Sequence, residues 1–355
     1  MSTTPRVTAI PLDDAGLPPE VEPRRLGRRA LQSLVLIGVL VAVVLLAPGL
    51  GDARDLLKDA DPAWLLAGIG LEALSCFSYV LGFRRVFCRE MSWRTAQEIG
   101  WSELAMGSIV PASGAGGLAL GAWALHRGGM PGDKIARRSV AFFLIKSSVN
   151  FAAVTVIGFL LAFGVVGPAQ PLWRTALPAT LALAVIVGVV LLGRLGEPDR
   201  PTDQAPRKRR WLAHAGRATI GGVRDAVVLL RSGDALVITG AFGYWIFDNA
   251  VLWATYHAVG ASPPITVILM GYLIGQLGGA LPIPGGVGGI DLGLVGALIV
   301  YGAPASPTVA AVLAYRLILF WLPLIVGAFA FWSLRRALYR PDRPDICHPA
   351  FRTAS

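Results

Sequence analysis

Six long apolar segments constrain the fold of this chain more than any other feature of its sequence. They lie at about residues 30–50, 63–83, 139–166, 175–192, 235–258 and 306–332. Each holds about 18 to 28 residues, and a helix needs about 20 apolar residues to cross a hydrocarbon core about 30 Å thick. With 54% hydrophobic and only 15% charged residues, the chain is too apolar for a soluble domain. An all-α polytopic membrane protein is predicted.

Two further apolar stretches, at about residues 95–127 and 265–301, are interrupted at their centres by proline and glycine. The second contains ALPIPGGVGGIDLG, residues 280–293. Proline lacks an amide proton, and glycine disfavours a helix by about 1 kcal/mol relative to alanine. We therefore expect two broken, re-entrant helical hairpins, each with both ends on one side of the membrane, beside six full crossings.

The basic residues orient these segments. Of the 32 Lys and Arg, this arrangement puts 27 on the cytoplasmic side, three outside (Arg54, Lys58 and Arg174) and two in the membrane (Lys146 and Arg316). Basic residues concentrate on the cytoplasmic side of membrane proteins. The sequence thus predicts a multi-pass protein of the cell membrane with both termini in the cytoplasm. The predicted cytoplasmic parts are a disordered tail at 1–29, a basic linker at 194–234 and a tail at 337–355.

The two interrupted stretches are similar to each other. PASGAGGLALGAWALHRGGMP, from Pro111, aligns with PIPGGVGGIDLGLVGALIVYGAP, from Pro282, with two short gaps, and a long span follows each. Because the hairpins are expected to open to opposite faces, the halves at about 63–193 and 235–334 are predicted to be inverted repeats. Broken helices of such repeats bind substrate near the midplane of secondary transporters. A chance match is the alternative, since glycine is common in membrane helices.

A family resemblance follows from LPIPGGVGGIDLGLVGALIVYGAP and the span AAVLAYRLILFWLPLIVGAFAFW, which contains Arg316. Together they resemble the flippase-like transmembrane domain of lysylphosphatidylglycerol synthases and related stand-alone membrane proteins. The similarity extends over residues 30–336, and this hairpin with its Arg-bearing span is the specific part. A Glu usually stands in that family where this chain has Asp291, which keeps the charge but shortens its reach. The resemblance implies lipid translocation, the movement of a polar headgroup between leaflets.

The synthases join this domain to a soluble aminoacyl-transfer domain. After Arg336 only about twenty mostly polar residues follow, fewer than the roughly 50 of a small domain. We therefore expect a stand-alone member that is not an enzyme and that uses no cofactor. The three cysteines, Cys76, Cys88 and Cys347, are too scattered for a disulfide framework or a metal site.

Ionisable residues at membrane depth are the candidate substrate site. Arg316 lies roughly 15 Å into its span, near the midplane, where a charge costs at least about 2.5 to 3.5 kcal/mol. Asp291 is expected to pair with it when no headgroup is bound, and Lys146 occupies a related position in the other half. Arginine suits bidentate contact with phosphate oxygens. The alternatives are a purely structural ion pair and, for Lys146, snorkelling towards the cytoplasmic face.

Other site residues follow from the same hypothesis. Gly285, Gly286 and Gly288 are expected to form the re-entrant turn that exposes amides to the headgroup. Asp248 and Glu103 are candidates for proton coupling, with a helix–helix hydrogen bond as the alternative for Asp248. Expected substrates are an anionic phospholipid or a polyprenyl-phosphate-linked sugar, because both present a phosphate. No nucleic-acid partner is expected; the protein partners considered are a second copy or a separate lipid-modifying enzyme.

Two other classes of function are alternatives to lipid translocation. A non-transporting scaffold or regulator would use the broken helices only to pack closely through small residues. An intramembrane hydrolase is suggested by PASGAGG and GGID, which are similar to the serine and aspartyl motifs of intramembrane proteases. Neither motif matches, because Pro111 stands where the serine motif needs Gly, and Ile290 separates the glycines from Asp291.

Overall fold

The computed structural model describes most of the chain, and its regular elements there are helices. The described residues are 51–109, 115–166, 171–196, 206–276 and 289–339, with isolated positions at 31, 32, 35, 38, 198, 346 and 347. The helices are α1 (Gly51–Lys58), α2 (Pro62–Phe87), α3 (Trp93–Ile109), α4 (Ala115–Arg127), α5 (Gly132–Ala162), α6 (Leu172–Leu192), α7 (Arg207–Arg231), α8 (Ala235–Ala258), α9 (Ile265–Gly275), α10 (Gly289–Val300) and α11 (Ala305–Leu338). No strand occurs in the described ranges, so the predicted all-α class is confirmed.

Five of these helices are long and apolar enough to cross a membrane. They are α2, α5, α6, α8 and α11, with 26, 31, 21, 24 and 34 residues. Each coincides with a segment that hydropathy predicts as a crossing, so helices of sufficient length and apolarity are present for five of the six. The predicted crossing at residues 30–50 lies almost entirely outside the described residues.

Caps and helix-forming polar residues set the ends of α2. Asp61 accepts a hydrogen bond from the Ala63 amide at 2.8 Å, and Pro62 occupies the first helical position, where its missing amide proton is not needed. The helix continues to Phe87, past the end at residue 83 that hydropathy predicts. Arg84 and Arg85 are good helix formers, although they lower the hydropathy of the window.

Helices α2 and α8 cross at small residues and join the two halves of the chain. A Cβ atom added to Gly240 would lie 2.7 Å from the amide nitrogen of Gly82. The Ser75 hydroxyl donates to the Tyr244 carbonyl at 3.0 Å. Such small residues let two membrane helices approach to backbone contact. The tight crossing places the middle of α2 beside the middle of α8.

Both interrupted stretches form two separate helices, α3 with α4 and α9 with α10, which pack against each other. The breaks at 110–114 and 277–288 lie outside the described residues. In the second pair Gly271 packs against Leu298 and Gly275 against Leu294. Because the contact advances in opposite directions along the two helices, α9 and α10 run antiparallel.

The predicted linker at 194–234 is mostly helical. Its 25-residue helix α7 packs on α5, where a Cβ atom on Gly222 would lie 2.5 Å from Cβ of Val140. Arg137 of α5 pairs with Asp225 of α7 at 3.1 Å. Hydropathy does not detect this helix, because its basic residues outweigh its narrow apolar face.

Candidate functional site

Arg316 and Asp291 form an ion pair inside the helical bundle. Asp291 lies in the first turn of α10, where the positive end of the helix dipole favours a carboxylate. Arg316 lies on α11, and its Nε is 3.4 Å from Asp291 Oδ1. The Asp291 side chain is 6% exposed and that of Arg316 is 12% exposed. The structure thus brings together the two residues on which the sequence-based hypothesis depends most.

Lys146 does not join this pair. Its Nζ lies 5.3 Å from the ring centre of Tyr79 and 5.2 Å from that of Tyr244. Such cation–π contacts partly replace the hydration of an ammonium group. The charge also interacts with Glu103 and Asp248. Lys146 therefore belongs to a second polar cluster, formed by α2, α3, α5 and α8.

Glu103 of α3 anchors one side of this second cluster. It is 3% exposed, and it accepts a hydrogen bond from the Tyr79 hydroxyl at 2.8 Å. The facing helix α4 has Gly121 at this point, where any Cβ atom would overlap the carboxylate. The glycine is thus required to accommodate the Glu103 side chain between α3 and α4.

Asp248 of α8 lies in the same interior and is 7% exposed. It accepts hydrogen bonds from the hydroxyl of Tyr272 on α9 and, at 2.8 Å, from that of Tyr315 on α11. The helix–helix hydrogen bond considered from the sequence is therefore present. Tyr315 is the residue before Arg316, so α11 contributes to both polar clusters.

A family comparison covers both clusters. The family model for the lysylphosphatidylglycerol synthase TM region matches residues 31–327. The chain belongs to this family. The resemblance inferred from the broken hairpin and the Arg-bearing span is thereby confirmed.

Curated relatives of this member of the lysylphosphatidylglycerol synthase transmembrane family come from Methanothermobacter thermautotrophicus. One UPF0104 membrane protein is 26% identical over 331 residues, covering 84% of this chain and 93% of the relative. A second protein with the same name is 23% identical over 328 residues, covering 85% of this chain and 92% of the relative. The similarity therefore extends over nearly the whole length of these relatives.

The remaining predicted site residues of this family member are the hairpin glycines. Gly285, Gly286 and Gly288 lie outside the described residues, so their expected role in the turn stays a prediction. Within the described ranges, no group of three or more His, Cys, Asp or Glu side chains is placed to hold a metal ion.

The buried and half-buried tyrosines of this family member were not predicted as site residues. Four of its seven tyrosines line the second cluster: Tyr79, Tyr244, Tyr272 and Tyr315. Their positions in the sequence could have indicated the cluster. Tyrosine is favoured at the membrane interface, whereas these four lie inside apolar helices. A phenol in such a position needs a hydrogen-bond partner or a charged neighbour.

Proposed function

We propose that this protein moves a phosphate-bearing lipid headgroup between the leaflets of the cell membrane, with Arg316 and Asp291 as its headgroup site. The observation that carries the proposal is the ion pair of these two residues at the start of α10, the second arm of an interrupted hairpin. Membership in the lysylphosphatidylglycerol synthase transmembrane family supports it.

The hairpin arms favour re-entrant segments. Helices α3, α4, α9 and α10 have 17, 13, 11 and 12 residues. At about 1.5 Å per residue they are about 17 to 26 Å long, shorter than a hydrocarbon core of about 30 Å. The antiparallel packing of α9 and α10 returns the chain to the side from which it entered. With one such pair in each half, the arrangement is consistent with inverted repeats.

The ion pair suits competition by an anionic headgroup. Asp291 occupies the place that a lipid phosphate would take, beside Arg316 and the first turn of α10. Arginine binds phosphate oxygens through two parallel N–H donors, and the amides at a helix N-terminus favour an anion. When the phosphate binds Arg316, the contact with Asp291 weakens, so headgroup binding and release of the pair are linked.

The expected cargo is defined by this chemistry. An anionic phospholipid and a polyprenyl-phosphate-linked sugar both carry the phosphate that the site requires. Lys146 lies in the other cluster, so it serves as a separate charge in the transport path rather than as a second ligand to the same phosphate. With the proposed orientation, both termini lie in the cytoplasm.

Reconstitution tests this function. Purified protein in liposomes should move fluorescent phosphatidylglycerol between leaflets, measured by chemical quenching of the outer leaflet. Arg316→Gln should lower the rate to that of protein-free liposomes. Arg335→Gln is the matched control, because Arg335 lies on the exposed last turn of the same helix. Wild-type rates for Arg316→Gln would contradict the proposal and favour a non-transporting scaffold.

A further inference from the structure

Glu72 of α2 is a buried acidic group that the headgroup site does not use. It is 5% exposed, and its Oε1 accepts only a weak hydrogen bond, from the Cys76 thiol at 3.3 Å. Its Oε2 is buried and has no hydrogen-bond partner within the described residues. No ion pair of Glu72 occurs in that part of the chain. An ionised carboxylate in this position would lack the compensation that buried charges require.

Asp248 of α8 further disfavours a negative charge on Glu72. The crossing of α2 and α8 brings Asp248 into electrostatic contact with Glu72, and the two carboxylates repel each other when both are ionised. Asp248 is already stabilised as an anion, because two tyrosine hydroxyls donate to it. The repulsion therefore favours protonation of Glu72 rather than of Asp248.

The groups on the other helices packed against α2 do not supply a compensating cation. From α3 comes Glu103, which has its own donor, Tyr79. From α5 comes Lys146, which interacts with Glu103 and Asp248. From α11 come Tyr315, bound to Asp248, and Arg316, paired with Asp291. Two tyrosines complete the surroundings of Glu72. Tyr244 of α8 interacts with both Glu72 and Asp248, and Tyr272 of α9 donates a hydrogen bond to Asp248.

A charge count gives the number of protons involved. The cluster holds three carboxylates, Glu72, Glu103 and Asp248, and one ammonium group, Lys146, which leaves two negative charges if all are ionised. Burying an uncompensated charge costs several kcal/mol even after relaxation. At least one proton must therefore be bound at neutral pH, and Glu72 is the carboxylate with the fewest stabilising contacts.

We propose that Glu72 is a proton-binding site that couples proton movement to headgroup translocation. The coupling rests on the proposed function, whereas the bound proton does not. The O–H bond of the Glu72 carboxylic acid breaks, the carboxylate keeps the electron pair, and the proton passes to water. The reverse step restores the acid.

The fold supplies a connection between this site and the headgroup site. Tyr315 and Arg316 are consecutive residues of α11, so a shift of the α11 backbone on headgroup binding would also move the Tyr315 hydroxyl, which donates a hydrogen bond to Asp248. When that hydrogen bond weakens, the charge of Asp248 is less stabilised and the protonation balance with Glu72 changes. Tyr244, which faces both carboxylates, also lines a small pocket with Lys146 and Ser78.

Infrared spectroscopy tests the bound proton without transport. Purified protein in dodecyl maltoside, a detergent without a carbonyl group, should show the carbonyl stretch of a protonated carboxylic acid at neutral pH. Glu72→Gln should remove this band, and Asp133→Asn, which changes an exposed carboxylate at the start of α5, should leave it. Should Glu72→Gln fail to fold, Glu72→Asp keeps the acid and should shift the band. A spectrum unchanged in both Glu72 variants would overturn the proposal.

Proton flux tests the coupling. Liposomes with a trapped pH indicator and fluorescent phosphatidylglycerol should show proton movement together with lipid movement for the wild type. In Glu72→Gln the proton movement should fall to that of protein-free liposomes, while lipid bound to the purified protein stays at the wild-type amount. Equal proton flux in wild type and variant would overturn the coupling even if the infrared band is present. Wild-type lipid movement by Arg316→Gln would instead contradict the headgroup site and leave the proton site standing.

Discussion

Arg316 and Asp291 lie on consecutive helices, with Arg316 Nε 3.4 Å from Asp291 Oδ1 and both side chains almost completely buried. Neither charge faces the lipid, where each would lack a counter-ion. The pair fixes the start of α10 against α11. Its position explains how a strongly apolar segment can hold a carboxylate.

The energetics of this pair give a prediction for three variants. Asp291→Asn and Arg316→Gln should each destabilise the fold by about 3 to 5 kcal/mol, because each leaves a buried charge without its partner. The double variant should be more stable than either single variant, yet inactive in lipid movement. Thermal unfolding in detergent, followed by the liposome assay, measures both effects. A double variant no more stable than the single variants would show that the two side chains are not energetically coupled.

The crossing of α2 and α8 predicts a strong effect at a glycine. Gly240→Ala should lower the thermal unfolding temperature markedly, because the added methyl group would meet the backbone of Gly82 at 2.7 Å. Gly70→Ala on α2 is the control, since nothing lies within 4 Å of the added atom. The control should be neutral or more stable by up to about 1 kcal/mol from helix propensity. Equal stability of the two variants would argue against the close crossing.

Two cysteines, one after the end of α2 and one in the C-terminal segment, give a cross-linking prediction. Cys88 follows α2, and a hydrogen bond from Cys347 lowers the pKa of Cys88 to about 6. Ile346 holds this part of the tail in place, as its amide donates to the Gly128 carbonyl at 3.0 Å. Mild oxidation with diamide should form a Cys88–Cys347 disulfide, detectable by mass spectrometry, while the buried Cys76 stays reduced.

The pH dependence of that reaction follows from the pKa of Cys88. The thiolate is the reactive form, so the reaction should persist down to about pH 6, well below the range of an ordinary thiol with a pKa of about 8.5. Cys347→Ser should abolish the cross-link. A reaction that disappears below about pH 8, as for an unperturbed thiol, would contradict the thiol contact.

Asp234 predicts an acid-sensitive contact at the start of α8. Its carboxylate accepts hydrogen bonds from Arg85 at 2.7 Å, Arg89 at 2.8 Å and the Leu236 amide at 3.1 Å. Burial raises the pKa of Asp234, but the contact with Arg85 and the other donors lowers it overall. The contribution to stability is therefore complete above the unfolded pKa of about 3.9 and is lost as the pH falls through the lower folded value.

Two variants separate the cap from the ion pairs. Asp234→Ala should cost about 0.5 to 2 kcal/mol from the lost cap alone, and more with the loss of the arginine contacts. Asp234→Asn keeps a capping oxygen and should cost less. Thermal unfolding followed from neutral to acidic pH should show a weaker pH dependence in both variants. If the thermal stability of the variants fell with decreasing pH as it does in the wild type, Asp234 would not be the source of the acid sensitivity.

Membrane orientation is testable by cysteine labelling. In a cysteine-free background, Lys58→Cys at the end of α1 should react with an impermeant maleimide added to intact cells. Lys208→Cys on α7 should react only after the cells are opened. Both side chains are exposed, so the difference reports the side of the membrane rather than burial. Labelling of Lys208→Cys from outside would reverse the proposed orientation.

Hydropathy and residue type alone predicted the membrane class and five segments that form helices long and apolar enough to cross a membrane. They also predicted that each of the two Pro- and Gly-containing stretches does not form one continuous spanning helix, and the structure has two shorter helices in each. Each of these depends on a property local in sequence. A run of apolar residues is driven out of water wherever it packs, and proline or glycine weakens a helix whatever its neighbours are. The same local argument places Arg316 at depth and requires a partner for it.

Which partner each charge receives was decided only by the tertiary structure. The sequence treats Lys146 and Arg316 as equivalent cations of two repeats, but Lys146 packs between Tyr79 and Tyr244, whereas Arg316 pairs with Asp291. Helix α7 and the contact of Glu72 with Asp248 were equally beyond a sequence argument. The interaction of Glu72 with Asp248 arises because the glycines at the crossing of α2 and α8 bring residues more than 150 positions apart into backbone contact. Burial of a charge depends on all the helices that surround it.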